Sequence, residues 1–433
     1  MRSRVVFLIL IFVLFLALLI TAAIFNVKLL LFCTTALFLI LLLYYSILTI
    51  AGLYNRLKSK EVPVLDFYPG VDILIPAHNE GVVLQDTIEA MVSIAYPGDL
   101  QIYILNDNSS DNTGEIVDAF AETFKNVHHI NVPPGEPRGK SRVLNYGLSI
   151  SSNKYYCVYD ADNQPESKAL VKLVAIAETY EDAGGAVGYV RTKNESANWL
   201  TRMISIEFQV FQLLMQSGRW QLFKTGSLTG TNMLVKRSVI EELGGYDPYA
   251  IAEDAELTLR ITQKGYFLPI VPTSITWEQE PETLKVYMKQ RTRWLQGNLY
   301  IVEKTLTDPG YFKGKLLVHS IHQLLVYVVF WFFLILSYIW FSLGILNVFY
   351  IEYTYPLLFI WYIAYIVYTM QLFAAQASQR SFTPINVFIS VIMYFTYAQL
   401  FSYLFVRSLI LYIKAKKNRQ TIGWEKTTRF KSK

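Results

Sequence analysis

Long apolar runs at both ends bracket a middle of ordinary globular composition, and that arrangement limits the possible folds more than any other feature. The first run, residues 5–23, is almost purely apolar and long enough to cross a hydrocarbon core of roughly 30 Å as a helix. A second run, residues 29–50, follows the short break Phe25-Asn26-Val27-Lys28. A cleaved leader would explain Arg2 and Arg4 ahead of one apolar run, but not a second run close behind it. Residues 1–50 therefore read as a tight transmembrane hairpin. Apolar runs resume at residues 316–346, 355–375 and 386–413.

Of 433 residues, 53% are hydrophobic and 15% aromatic, and the excess is concentrated in these end segments. Basic residues set the orientation. Arg2 and Arg4 precede the hairpin while Arg56, Lys58 and Lys60 follow it, which puts both of its ends and the central domain in the cytosol. Three C-terminal crossings would leave the basic tail, 414–433, on the wrong side. One of the segments in 316–413 is therefore expected to be re-entrant, interfacial or otherwise not a single crossing. The net charge of +5 owes much to that tail, with Lys414, Lys416, Lys417, Arg419, Lys426, Arg429, Lys431 and Lys433. A basic juxtamembrane tail suits anionic membrane lipids, and no nucleic-acid partner is expected. The two cysteines, Cys33 and Cys157, support neither a disulfide framework nor a zinc site.

A linker with Pro63 and Pro69, residues 51–70, leads into the central domain, 71–282. Short apolar strands are expected at 71–75, 101–105 and 155–159, each ending in a polar cluster, with helices at 82–94 and 114–124 between them. Buried strands alternating with helices predict a mostly parallel sheet covered on both faces. Such sheets bind ligands beyond the carboxyl ends of their strands, where the polar clusters fall. Further on come 226–235, 238–245 and an acidic helix start at Glu253-Asp254. Residues 283–315 mix aromatic and cationic groups, as amphipathic interfacial helices do.

Asp160-Ala161-Asp162 closes the third strand. Two carboxylates in this pattern can hold magnesium or manganese, which in turn holds a diphosphate; alone, the pattern is more often a polar turn or helix cap. Pro76-Ala77-His78-Asn79-Glu80 and Asn106-Asp107-Asn108-Ser109-Ser110-Asp111 close the first two strands. Adjacent parallel strands would bring all three loops to one rim, suggesting a nucleotide site. Lys140 is a candidate partner for base or phosphates, with a solvated surface lysine as the alternative. An acidic pair opening a helix is favoured by the helix dipole whatever its role, but Asp254 could also be a general base. In Gln290-Arg291-Thr292-Arg293-Trp294, the first, fourth and fifth residues share a helix face. Arg293 could pair with diphosphate oxygens and Trp294 could stack on a sugar, although Arg and Trp are also common interfacial anchors.

Taken in order, these motifs resemble those of family 2 glycosyltransferases with the GT-A fold, in particular the membrane-integrated β-polysaccharide synthases that make poly-N-acetylglucosamine, hyaluronan, chitin and cellulose. The resemblance covers nearly the whole chain; D-x-D and N-D-x-S-x-D are loose, whereas Q-R-T-R-W after E-D and before apolar helices is specific. It implies an α/β GT-A domain inserted between transmembrane helices. It further implies that Ala77, His78 and Glu80 border a uridine, with His78 where tyrosine is common. Asp107 would contact the nucleoside and Lys140 the donor. Asp160 would face ribose and diphosphate, and Asp162, with Asp160, would hold the divalent cation, Mg2+ or Mn2+. Glu253 and Asp254 match the T-E-D motif, Asp254 as the base, and Gln290, Arg293 and Trp294 would hold pyrophosphate and acceptor. Trp424, Thr427 and Arg429 of the tail resemble the segment that closes over bound donor. Ala252 replaces the threonine of T-E-D, and Asn106 an aspartate of the second loop.

The function implied is inverting transfer from a UDP-sugar, UDP-N-acetylglucosamine or UDP-glucose, to a growing β-linked polysaccharide that crosses the membrane. The enzyme would be multi-pass in the cell membrane with a cytosolic catalytic domain, and accessory export subunits would fit as partners. The alternatives are a non-processive synthase acting on a lipid-linked acceptor, and a catalytically silent scaffold or secretion channel.

Overall fold

The computed structural model describes residues 27–58, 62–314, 316–346 and 354–418. The apolar run 5–23 and the tail residues Trp424, Thr427 and Arg429 lie outside the described residues.

Helix α1, Val27–Lys58, continues through residues 51–58, so the expected linker 51–70 is helical in its first part. The segment AGLYNRLK holds no proline, and its one glycine is where another helix comes close. A Cβ on Gly52 would lie 2.4 Å from the Leu214 carbonyl oxygen, and one on Gly218 would lie 2.3 Å from that of Leu48. Side chains at either position would force α1 off the central domain. The Arg56 guanidinium then donates to the Pro272 carbonyl at 2.9 Å, tying the end of α1 to the sheet.

The chain then alternates strand and helix: β1 Val71–Ala77, α2 Leu84–Val92, β2 Leu100–Asn106, α3 Thr113–Thr123, β3 Val127–Asn131, α4 Lys140–Ile150, β4 Tyr155–Val158, β5 Gln164–Pro165, α5 Ala169–Thr179 and β6 Gly185–Thr192. A nearly continuous helical stretch follows, comprising α6 Trp199–Phe208, a π-helical segment Gln209–Gln216 and α7 Ser217–Phe223. Next come β7 Met233–Lys236, α8 Arg237–Glu242, α9 Glu253–Gln263, β8 Ile270–Glu278 and the long α10 Leu284–Thr307. The strands form one eight-stranded sheet in the order β3-β2-β1-β4-β7-β6-β8-β5. β1 pairs in parallel with both β2 and β4, whereas β7 runs antiparallel to β4 and β6. Six of the eight strands therefore run the same way, and only β7 and β5 are reversed, so the sheet is mostly parallel with two antiparallel strands. Within 226–235 the strand β7 begins at Met233, and β3, β5, β6, β7 and β8 are strands the sequence reading did not single out.

Alternation along β1 explains the layering. Ile73 and Ile75 join Ile102, Ile104 and Cys157 on one face, packed by Leu84, Ile88, Val117, Leu170 and Val174 from α2, α3 and α5. Leu74, with Leu105, Tyr156 and Val158, faces the other way onto Val143, Leu144, Ile240, Leu257 and Ile261 from α4, α8 and α9. Each such aliphatic side chain contributes about 1.5–3 kcal/mol on burial, and the period of two leaves no freedom in register.

Beyond α10 lie α11 Leu316–Leu324, a π-helical turn Leu325–Val329, α12 Phe330–Ile345, α13 Thr354–Gln379, α14 Pro384–Met393 and α15 Tyr397–Lys417. Among the described residues three stretches are long and apolar enough to cross a membrane: Phe32–Lys58, Leu316–Leu343 and Leu358–Gln379. α14 and α15 pass the same test only as a pair, and they are bent by 45°.

Candidate functional site

The parallel trio β2-β1-β4 brings three strand ends to one rim. At the end of β1, His78 Nδ1 lies 2.6 Å from the carbonyl oxygen of Asp107, beyond the end of β2. The Asp107 amide in turn donates to the Ala77 carbonyl at 2.8 Å, so the two loops are pinned together. The Asp107 carboxylate is engaged by the Arg142 guanidinium of α4. Glu80 is buried, with its backbone N–H donating to Thr113 Oγ1 at 2.8 Å.

Lys140 opens α4 and points across the rim. Its ammonium donates to Asp160 Oδ1 at 2.6 Å and to the Gly230 carbonyl at 2.7 Å, and lies 3.4 Å from Glu253 Oε1. This one cation therefore joins the end of β4, the loop before β7 and the start of α9. Burial works against its charge, but Asp160 and Glu253 more than compensate and hold its pKa above the ordinary lysine range. Asp254, the second residue of α9, is pushed up to about 7, first by burial and then by the neighbouring Glu253 carboxylate; Lys140 and the Ala255 amide oppose the shift. A carboxyl group poised there can exchange a proton at neutral pH.

The other wall is α10. Gln290 is buried, and its Oε1 has no hydrogen-bond partner among the described residues. Trp294, 36% exposed, stacks on Phe208 of α6 at 6.1 Å and 23°. The Arg291 guanidinium lies 4.3 Å from the Trp294 ring centroid and pairs with Glu207 Oε2 at 2.7 Å. Tyr397 of α15 donates to the same Glu207 oxygen at 2.5 Å. Arg291 and Glu207 thus hold the indole in place, and the sequence reading missed both. Arg291 sits inside the Q-R-T-R-W pentad as a buried charge at the cavity wall. Gly297 was missed as well: a Cβ there would lie 2.6 Å from the Cβ of Ala252.

A single cavity of about 530 Å³ runs between these walls. Ala77, His78, Glu80, Asp107, Lys140, Asp160, Glu253, Asp254, Gln290, Arg293 and Trp294 all line it. Asp162 is not among the lining residues, and it is only 3% exposed. Among the described residues, no three His, Cys, Asp or Glu side chains gather as a ready-made metal cage. The donor chemistry still fits a hard cation, since magnesium is commonly held by one or two carboxylates plus substrate phosphates. Asp160 provides such a carboxylate on the cavity wall.

A GT-A α/β domain whose strand-end acids, buried lysine and aromatic helix share one cleft is the architecture of a glycosyltransferase. The family model described as "Glycosyltransferase like family 2" matches residues 69–297, and the chain belongs to that family. "Probable glycosyltransferase YdaM" of Bacillus subtilis (strain 168) is 38% identical over 411 residues, 92% of this chain and 97% of that one. A poly-beta-1,6-N-acetyl-D-glucosamine synthase of Staphylococcus epidermidis (strain ATCC 35984 / DSM 28319 / BCRC 17069 / CCUG 31568 / BM 3577 / RP62A) is 27% identical, covering 67% of this chain and 70% of its own. Among solved structures, a mannosyltransferase from Pyrobaculum calidifontis, in complex with GDP-Man and Mn2+, matches with a TM-score of 0.54. That match has 17% identity and covers 89% of this chain and 99% of that one, a likeness of fold.

Proposed function

We propose that this enzyme transfers a sugar from a UDP-sugar, UDP-N-acetylglucosamine or UDP-glucose, to the end of a growing β-linked polysaccharide, with inversion at the anomeric carbon. The observation that carries the reading is the convergence of Asp254, Lys140 and Asp160 with the Gln290–Trp294 face on one cavity. The polysaccharide synthases at 27% identity support the acceptor class.

In this reading Ala77, His78, Glu80 and Asp107 border the uridine, while Lys140 and Arg293 face the diphosphate. The acceptor sugar stacks on Trp294, which fixes its hydroxyl toward Asp254. The Asp254 carboxylate takes the hydroxyl proton as the oxygen attacks the anomeric carbon. The bond to the β-phosphate oxygen breaks on the opposite face, and UDP leaves with the electron pair. A base with a pKa near 7 is half-ionised at neutral pH and basic enough for this transfer. Asp160, with Asp162 two residues on, would hold a Mg2+ or Mn2+ ion, whose charge would offset that on the departing diphosphate. Trp424, Thr427 and Arg429 of the tail would close over bound donor.

In this reading the apolar helices lie in the cell membrane and the catalytic domain faces the cytosol. Taking α14 and α15 as a re-entrant pair keeps the basic tail on that side too, resolving the parity of crossings. A donor screen measuring UDP release from several nucleotide sugars, with magnesium or manganese, tests the transfer. Sizing of radiolabelled product tests the polymer: material confined to the organic phase would instead identify a single addition to lipid. Failure to turn over any nucleotide sugar would leave a silent scaffold.

A further inference from the structure

Behind the rim, His129 of β3 stands between α3 and the end of β2. Its Nδ1 lies 2.6 Å from Asp118 Oδ1 of α3, and its Nε2 lies 3.1 Å from Asn106 Nδ2. The His129 side chain is 12% exposed. The charged group that α3 turns toward the ring is Asp118, while β2 presents the uncharged amide of Asn106. Gly114 of α3 packs over the pair: a Cβ there would lie 3.6 Å from both His129 Cε1 and Asn106 Nδ2. Asn106 Nδ2 has a second, longer contact at 3.4 Å with Asn131 Oδ1. On its other side, Asn106 Oδ1 accepts from the Ser109 amide at 3.2 Å, and Ser109 Oγ accepts from the Asn79 amide at 2.9 Å. These bonds close the turn around Asp107 and tie it to the residue after His78. Asp107 and His78 both line the cavity.

An ionised carboxylate only accepts, so His129 Nδ1 carries the proton that Asp118 receives. The Ser109 amide only donates, so the oxygen of the Asn106 side chain faces it and the NH2 group faces His129. Nε2 must then offer a lone pair, and both ends of the Asn106 amide are committed. A proton added to Nε2 would set donor against donor. Turning the amide over would set its NH2 group against the Ser109 N–H instead, so one hydrogen bond is lost either way. The aspartate that Asn106 replaces is an acceptor on both sides: it suits Ser109 but not a bare Nε2.

We propose that His129, as a neutral imidazole, is a positioning residue of the nucleotide site: it holds the Asn106 amide, and through it the loop carrying Asp107, in the form that binds the donor. This rests on the nucleotide reading of the rim and names the group that keeps the rim in shape.

Calorimetric titration of full-length protein in nanodiscs with UDP tests it. His129→Leu should weaken UDP binding roughly five- to tenfold. His129→Gln, whose amide oxygen can take the place of Nε2, should stay within about twofold of wild type. In turnover, the donor KM of His129→Leu should rise by more than kcat falls. Asn106→Asp should weaken UDP binding at about pH 8. Its deficit relative to wild type should shrink as the pH falls to about 5.5, where protonated His129 becomes the donor that the carboxylate needs. A ratio of the two dissociation constants that does not change with pH would overturn the proposal, as would wild-type affinity in folded His129→Leu. Melting profiles identify any variant that fails to fold, and the pH series on Asn106→Asp decides the matter if His129→Leu does. The tautomer is read without any nucleotide: solid-state 15N spectra of histidine-labelled protein, referenced to His129→Gln, should show Nδ1 protonated and Nε2 bare at about pH 8. The opposite tautomer would overturn the proposal and leave UDP binding by the wild type untouched. Failure of the wild type to bind UDP would instead remove the nucleotide reading of the rim, and this role with it, whatever the tautomer.

Discussion

Gly297 of α10 faces Ala252 so closely that a Cβ on the glycine would lie 2.6 Å from the alanine's own. Ala252 immediately precedes Glu253 and Asp254, so this contact sets the distance between the proton-accepting helix and the helix bearing Gln290 and Trp294.

Gly297→Ala should lower activity more than tenfold, a barrier change of about 1.4 kcal/mol or more. Helix propensity alone would favour the alanine by about 1 kcal/mol, so a lowered melting temperature would show that overpacking outweighs it. UDP release and thermal melts measure both. Full activity in Gly297→Ala would mean the spacing is not critical.

Asp254→Asn should reduce turnover by roughly 10²–10⁴-fold while leaving the protein folded. The acid limb of wild-type kcat should rise with pH through about 7, where Asp254 ionises. Its folded-state pKa lies above the unfolded value, so its protonation contributes stability at low pH that is lost as pH rises through about 7. The melting temperature of Asp254→Asn should therefore gain on wild type between pH 6 and pH 8. Near-normal turnover in the folded variant would remove Asp254 as the base.

Lys140→Met deletes a charge that holds the Asp254 pKa down. The acid limb of kcat should move to higher pH, and the donor KM should rise as the diphosphate loses its ammonium. A pH–rate profile with saturating donor separates these effects. An unshifted limb would mean that Lys140 and Asp254 do not interact in the working enzyme.

Arg291→Met breaks the ion pair with Glu207 and leaves that carboxylate with only the Tyr397 hydroxyl; stability should fall by about 3 kcal/mol. Arg291→Lys should recover much of that stability but less of the acceptor KM, because a lysine cannot lie flat over the Trp294 ring while pairing with Glu207. Equal recovery of both would assign Arg291 a purely structural role.

Chelation should abolish UDP release, and magnesium or manganese should restore it. Asp160→Asn should raise the metal concentration needed more than Asp162→Asn does, because Asp160 is the carboxylate on the cavity wall. The reverse order would place Asp162 at the cation instead.

Much of this site is legible along the chain because each part is local. Strand-end clusters such as Ala77-His78 and Asn106-Asp107 follow apolar runs whose β character and spacing are visible. Gln290, Arg293 and Trp294 share a face because helical period alone puts them there. β6 and β8 are harder to see, since a strand paired in a mixed sheet needs no distinctive local pattern. Arg291 was hidden for a different reason: nothing local says that a cation within a polar pentad turns inward to meet Glu207, a residue far off in the chain.

By itself, the sequence determined the order of apolar helix and α/β domain, the strand ends where acids collect, and the face of the Q-R-T-R-W helix. Periodicity and hydropathy encode these features within a few turns of chain. Only the tertiary structure decided that Lys140 bridges Asp160, Gly230 and Glu253, that Asp160 rather than Asp162 meets the cavity, and that the buried Arg219 lines it between the helices. Those outcomes depend on which distant segments exclude water from one another, and no local pattern records that.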